Sequence, residues 1–220
     1  MATVYAFPAA ISKVCRHVSV YEPCEDSFAL ADALLADSEF LVDLRPSICL
    51  EIGSGSGYVM TSLALLFQSG GLPPPFYLAT DINPVAADTS LQTALNHDVI
   101  IDVAVVNLVQ ALEIRLAGKV DVLIFNPPYV PTPEEEVGAP GIVASWAGGS
   151  RGRRVIDRLL PQVKLLLSPR GCFYLVALSE NDPKEIAQLL SKDGFCCRTI
   201  LKKHTEEETL HILKFWRMGH

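Results

Sequence analysis

Val120-Asp121-Val122-Leu123-Ile124-Phe125 runs directly into Asn126-Pro127-Pro128-Tyr129. The first six residues form a short apolar run of the kind that fills the buried centre of a parallel sheet. The prolines end it, because proline has no N–H to give a sheet ladder. The residue before each proline is held extended. The junction reads as a stiff loop at the carboxyl end of a strand, where open α/β sheets bind ligands. Asn126 offers a side-chain carbonyl, and Pro127 a backbone carbonyl with no competing N–H. Both accept from an –NH2 group, Pro128 helps keep the loop rigid, and Tyr129 offers a flat face. Standing alone, the four residues would be no more than a rigid turn.

Upstream lies a second loop of the same kind. Ile48-Cys49-Leu50-Glu51-Ile52 reads as a buried strand, followed by Gly53-Ser54-Gly55-Ser56-Gly57 and a helix from Tyr58 to Phe67. Glycines here allow a tight turn and a close approach of ligand to the helix start. A dinucleotide site would show G-x-G-x-x-G. The tighter G-x-G-x-G, preceded by Glu51, suits a cofactor without a pyrophosphate, because a carboxylate repels a diphosphate and pairs with an ammonium. Phe76 to Thr80 is the next strand and ends in Asp81. An acid there usually clamps ribose hydroxyls. It could also support the following helix, Pro84 to Leu95, whose cap and first position are Asn83-Pro84.

Val99 to Val106 reads as a third strand, with Asn107-Leu108 at its end within reach of an adenine amino group. Val120 to Phe125 is the fourth. A helix from Val155 to Leu167, stopped by Ser168-Pro169-Arg170-Gly171, leads to a fifth strand, Cys172 to Leu178. Asp182-Pro183 opens a last helix to Ser191. Phe195–Leu201 and Leu210–Phe215 close the sheet as an antiparallel hairpin around Lys202–Glu208. Residues 130–150 form a long irregular loop, which is usually functional in a compact domain; it is expected to border the substrate. Near the amino terminus, Asp26 and Ser27 open a helix running on through Phe28–Leu35. They serve either as caps or as a lid whose polar groups face a ligand. Residues 1–20 are expected to be a loosely held arm, with a strand or turn at Val18–Val20. The whole, 1–220, reads as a single domain.

Half of the residues are hydrophobic and the mean hydropathy is +0.29. The apolar runs fall well short of the ~18 residues of a membrane span. Met1 to Ile11 lacks the charged start of a signal peptide. The excess apolarity therefore points to a permanent partner. A net charge of −7 argues against a free-standing nucleic-acid binder. Arg151, Arg153, Arg154, Lys202 and Lys203 read as solvated surface. Six cysteines without CxxC spacing read as reduced thiols, and the expected location is the cytoplasm, with the nucleus as a second compartment. Five scattered histidines argue against a metal site.

Glu51-Ile-Gly-Ser-Gly-Ser-Gly57, Asp81 and Asn126-Pro-Pro-Tyr129, in that order, resemble a class I S-adenosylmethionine-dependent methyltransferase of the amino-methylating branch. Tyr21-Glu-Pro-Cys-Glu-Asp-Ser27 and Trp146-Ala-Gly-Gly149 narrow the resemblance to the eukaryotic and archaeal HemK-like release-factor glutamine methyltransferases, across nearly the whole chain. The resemblance implies an α/β Rossmann-like fold: a seven-stranded, mostly parallel sheet with an antiparallel carboxyl-terminal hairpin and helices on both faces. It implies S-adenosylmethionine as cofactor, and N5 methylation of the glutamine in the Gly-Gly-Gln loop of the class-1 translation release factor. Glu51, Gly53, Ser54, Gly55 and Gly57 would hold the methionine portion, helped by Asp26 and Ser27. Asp81, with Ile82 beside it, would take the ribose, and Asn107 and Leu108 would flank the adenine. Asn126 would border cofactor and substrate. Asn126 and Pro127 would grip the two N–H groups of the amide, with Tyr129 packed on its plane.

The resemblance implies that relatives usually carry Asp where this chain has Asn107, so weaker cofactor binding is expected, not its loss. The resemblance also implies a small zinc-binding activator subunit. The edge strand Val99–Val106, β-branched and poorly charged, is the expected place for it. Adenine-N6 methylation of nucleic acid and lysine methylation of protein are the alternatives, since both present an –NH2 group to the same loop.

Overall fold

The computed structural model describes residues 7–139, 141–204 and 208–217. Its strands are β1 (Ile48–Ile52), β2 (Phe76–Asp81), β3 (Asp102–Val105), β4 (Val120–Phe125), β5 (Leu167–Leu178), β6 (Phe195–His204) and β7 (Thr209–Arg217). They pair into one seven-stranded sheet in the order β3-β2-β1-β4-β5-β7-β6. The first five of these are mutually parallel, and β7 runs antiparallel between β5 and β6. The helices are α1 (Glu25–Ala36), α2 (Ser38–Leu44), α3 (Tyr58–Ser69), α4 (Pro84–Asn96), α5 (Glu113–Leu116), α6 (Arg154–Leu166) and α7 (Pro183–Ser191). α3 packs between α1 and α4, and α5 packs on α6. This is the expected Rossmann-like class I methyltransferase architecture.

Physical causes at each element are local. β4 is buried along its whole length, as its apolar run requires. Asn83 caps α4 by accepting the Val85 N–H at 3.0 Å, with Pro84 in the first turn. Asp182 caps α7 through the Glu185 N–H. Behind the sheet's ligand-binding edge, Asp121 joins three elements. It accepts the N–H groups of Ser47 (2.7 Å) and Ile48 (3.3 Å) and the hydroxyl of Ser168 (2.6 Å). No helix among the described residues is long and apolar enough to cross a membrane.

Four expectations need correction. The third strand is half as long as its apolar run, because Val99 and Ile101 are buried against the core before the strand begins. The fifth strand starts at Leu167: Ser168-Pro169 ends the helix but continues as strand, with a register shift opposite Val120–Val122. The hairpin strands reach His204 and begin at Thr209, so the turn is tighter; residues 205–207 lie outside the described part. The arm is held from residue 7 onward. Ala9 N–H donates to Ser62 Oγ at 3.1 Å, Cys15 N–H to Thr93 Oγ1 at 3.0 Å, and Ala9 and Val14 join the core. Val18–Val20 is a turn, and residues 1–6 lie outside the described part.

α2 has no counterpart in the sequence reading. It follows a corner at Asp37, whose carboxylate takes the Tyr174 hydroxyl at 2.5 Å and pairs with Lys214. Lys214 is buried in the middle of β7, with its ammonium 3.2 Å from the centroid of Phe40 on α2. A charge is tolerated there because it has both a counter-ion and an aromatic face.

Asp121→Ala is expected to cost ~2–4 kcal/mol, since it leaves buried N–H donors unpaired. Urea unfolding monitored by circular dichroism measures this, with no change expected in ligand affinity because the residue lies at the opposite end of the strand from the loop.

Candidate active site

β1 and β4 are neighbours, with Ile52 opposite Phe125. The strand order reverses between them, so their two following loops open side by side at a topological switch point. A cavity of about 650 Å³ lies there. It is lined by every expected cofactor residue except Gly57, and by Asn126, Pro127 and Pro128. Gly57 serves the loop's shape. Its φ is +76°, and an added Cβ would sit 2.7 Å from Ser90 Cα. At Gly55 a Cβ would meet no atom within 4 Å, so that edge is open to a ligand.

The lining is acidic. Glu51 is buried and accepts the Met60 N–H at 3.0 Å. Burial pushes its carboxyl up to about 8, against the lowering effect of that N–H, with a further rise from Asp81. Asp81 accepts the N–H groups of Gly55 (2.9 Å) and Asn83 (2.8 Å), and burial raises it as well. The carboxylate has lone pairs left for hydroxyl groups. Ser54 Oγ accepts from the Ser90 hydroxyl at 2.8 Å, within the wall. Two acids and a short glycine turn fit a cationic ligand with hydroxyls, and disfavour a diphosphate.

Asn126 sits at the mouth of the proline loop. Its Nδ2 donates to Asp26 Oδ2 at 3.1 Å, while its Oδ1 is buried and has no partner among the described residues. The Pro127 carbonyl likewise accepts no backbone hydrogen bond among them. Two consecutive acceptors without partners among the described residues suit the two N–H groups of one nitrogen. Tyr129 departs from expectation. It does not line the cavity; its ring joins the core and its hydroxyl donates to Asp26 Oδ2 at 2.8 Å. Desolvation is the cause: the ring is nearly fully buried, and the hydroxyl needs an acceptor there. Asp26 and Ser27 do line the cavity, at the start of α1. Yet the Asp26 oxygens are turned to protein donors, with Oδ1 taking the Ser27 N–H (2.6 Å), Ser27 Oγ (3.1 Å) and Cys24 Sγ (3.1 Å).

Several residues of the site carry no sequence signal. Asn181, fully buried on the turn before α7, donates to the carbonyls of Tyr129 (2.8 Å) and Arg151 (2.9 Å) and holds the proline loop from behind. Gly152 must be glycine, since a Cβ there would lie 1.9 Å from Tyr129 O. The long loop, by contrast, borders the site as expected: residues 137–139, 141–142 and 144–145 line the cavity, and the loop folds back through Val130 N–H to Trp146 O at 3.0 Å. Ser19, Val20 and Tyr21 of the arm line it from the other side. Arg158 on α6 donates to Asn107 Oδ1 at 2.9 Å, so the carbonyl expected to meet an adenine amino group already serves another donor. Arg153 is buried, paired with Asp157 at 2.6 Å and Glu185 at 2.7 Å, and is not the solvated cation expected. Among the described residues no cluster of His, Cys, Asp and Glu could hold a metal.

The chain is 50% identical over 196 residues to the human methyltransferase HEMK2, covering 89% of each protein. It is 42% identical over 212 residues to the eRF1 methyltransferase catalytic subunit mtq2 of Schizosaccharomyces pombe, covering 91% of this chain and 90% of that one. Among solved structures it matches the Mtq2–Trm112 complex of E. cuniculi, responsible for methylation of the eRF1 translation termination factor. That match has a TM-score of 0.65 at 27% identity, over 90% of this chain and 99% of that one. No family model matches.

Glu51 sets a pH dependence. Its folded value, about 8, lies above the ordinary 4.5, so the free site keeps a proton through neutral pH. Pairing with an ammonium requires the carboxylate, so binding of a ligand ammonium beside Glu51 should release a proton at a pH of about 6.5 and tighten as pH rises toward 8. Calorimetry in buffers of differing ionisation enthalpy measures the release, and Glu51→Gln should abolish it.

Proposed function

Because the chain belongs to the HemK-like family of class I methyltransferases, we propose that it transfers a methyl group from S-adenosylmethionine to a protein side-chain amide. The proposed target is the glutamine of the Gly-Gly-Gln loop in the class-1 release factor, in line with the names borne by its relatives. The observation that carries the reading is the Asn126 Oδ1: buried, unpartnered, and beside a cavity lined by Glu51 and Asp81. A buried acceptor left unpaired costs ~1–3 kcal/mol, and a substrate N–H relieves that cost.

S-adenosylmethionine, when bound, supplies a methyl group on a positively charged sulfur. Glu51 and the loop Gly53–Gly57 hold its amino-acid end, Asp81 its ribose, and Asn107 and Leu108 flank its adenine. The remaining chemistry belongs to the chain. An amide nitrogen is a poor nucleophile because its lone pair is delocalised into the carbonyl. Asn126 Oδ1 and Pro127 O take its two N–H groups, fix its orientation, and offset the positive charge that grows on it. Among the described residues no histidine, lysine or cysteine lines the cavity, the Asp26 oxygens are occupied, and Glu51 and Asp81 are given to the cofactor. The site therefore holds the nitrogen in place, and the extra proton passes to water after transfer.

We also propose that a small zinc-binding subunit covers the β3 edge. Among the described strands β3 pairs only with β2, and Leu95, Ile100 and Val105 beside or on it are 58%, 84% and 53% exposed. Apolar surface of this kind next to an open strand edge invites strand addition. All six cysteines are free, which supports the cytoplasm, and the nucleus with it, as its location.

Label transfer to release factor carrying Gln, and none to the Ala form, is the expected result with the coexpressed complex. Asn126→Ala should lower kcat by ~10²–10³ while leaving cofactor affinity within ~3-fold; turnover close to wild type would exclude the role given to Asn126. For the partner, Ile100→Asp with Val105→Asp should abolish copurification of the small subunit, read by size-exclusion chromatography. A complex that survives both charges would move the interface elsewhere.

A further inference from the structure

We propose that Asp26 is the positioning residue that makes Asn126 an acceptor. The inference rests on the function proposed above and names the group that sets its selectivity for an –NH2. A carboxamide can sit either way round with the same shape, presenting oxygen or nitrogen to a given side. Sterics do not choose between the two; a neighbour must. At Asn126 that neighbour is Asp26, whose Oδ2 lies 3.1 Å from Nδ2 across a separation of 100 residues. A carboxylate only accepts, so the NH2 end of Asn126 turns to it and Oδ1 is left over, buried and unpaired.

Asp26 is itself held so that it cannot follow. Ser27 N–H at 2.6 Å, Ser27 Oγ and Cys24 Sγ fix its Oδ1 at the start of α1. Tyr129 donates to the same Oδ2 that Asn126 uses, at 2.8 Å. Burial and the nearby Asp26 push the Tyr129 phenol upward, which keeps it a donor. The carboxylate is thus clamped from both sides, and the only rotor left to adapt is Asn126. An amide substrate meets an acceptor there. A substrate carboxylate of the same shape, glutamate in place of glutamine, meets that acceptor as a repulsion.

The substitution Asp26→Asn tests this without changing size. The introduced carboxamide keeps its oxygen on the Ser27 N–H and turns its NH2 to Asn126, which must flip and put Nδ2 where its buried Oδ1 now lies. The complex with the small subunit would be assayed on release factor with Gln or Glu in its loop. Wild type should methylate the Gln form and bind the Glu form poorly. Asp26→Asn should lose ~100-fold in kcat on the Gln form, with S-adenosylmethionine affinity within ~3-fold, and should now bind the Glu form better than the Gln form.

The exchange Asp26→Asn with Asn126→Asp restores an amide–carboxylate pair and an acceptor in the place of Asn126 Oδ1. It should recover ~10-fold or more of the lost turnover, together with the preference for Gln. This exchange keeps the charge count and the hydrogen-bond match, so it also serves if the single variant does not fold. A wild-type complex that does not prefer Gln overturns the proposed function, and this inference with it. A wild type that does prefer Gln, beside an Asp26→Asn variant with unchanged turnover and preference, overturns the Asp26 assignment alone. So does a folded exchange variant that recovers neither.

Discussion

Parallel pairing of β1 with β4 is the constraint on which the site depends. It sets Ile52 opposite Phe125, so the chain leaves both strands at the same height and on the same edge of the sheet. One exit is glycine-rich and preceded by an acid; the other is proline-rich and begins with an amide. Neither loop makes a site alone. The first brings the acid Glu51 and the glycine turn, and the second brings the consecutive acceptors of Asn126 and Pro127. Reversal of strand order between them leaves a gap that no crossover helix fills, and the cavity occupies it.

The cavity is costly to fold. It gathers Asp26, Glu51 and Asp81 in a region withdrawn from water, with Arg158 as the only cation on its wall among the described residues. Each acid is managed differently. Asp26 is saturated by protein donors, Asp81 has backbone N–H groups on both oxygens, and Glu51 has a single N–H and is pushed toward neutrality. That gradient separates structural from ligand-facing acids. An acid with all its lone pairs used shapes the site, whereas one left short waits for a cation. The orphaned Asn126 oxygen follows the same logic for a neutral donor.

How much of this can be read from sequence follows from where the information sits. β1 and β4 are legible because buried parallel strands are mostly apolar runs, here each interrupted by a single acid, Glu51 and Asp121. Both loops are legible because glycine and proline constrain the backbone locally. β3 reads too long for the same reason in reverse: Val99 and Ile101 are apolar because they are buried, and periodicity cannot tell a buried approach from a strand. α2 is invisible because its reason is tertiary, the docking of Asp37 and Phe40 onto Lys214 of β7. Tyr129 stands out in the sequence but not its task, because a tyrosine's ring and hydroxyl can each be its purpose. Asp26 is placed near the cofactor by its motif, but its link to Asn126 spans 100 residues and leaves no local trace.

The central claim is that Asn126 presents an acceptor, and not a donor, to the substrate. A crystal structure of the complex with a glutamine-bearing release-factor loop and the demethylated cofactor product measures it directly. The substrate amide nitrogen is expected ~2.8–3.1 Å from both Asn126 Oδ1 and Pro127 O, with Asn126 Nδ2 still on Asp26. A substrate carbonyl oxygen in that position, or an Asn126 side chain turned away from Asp26, would contradict it.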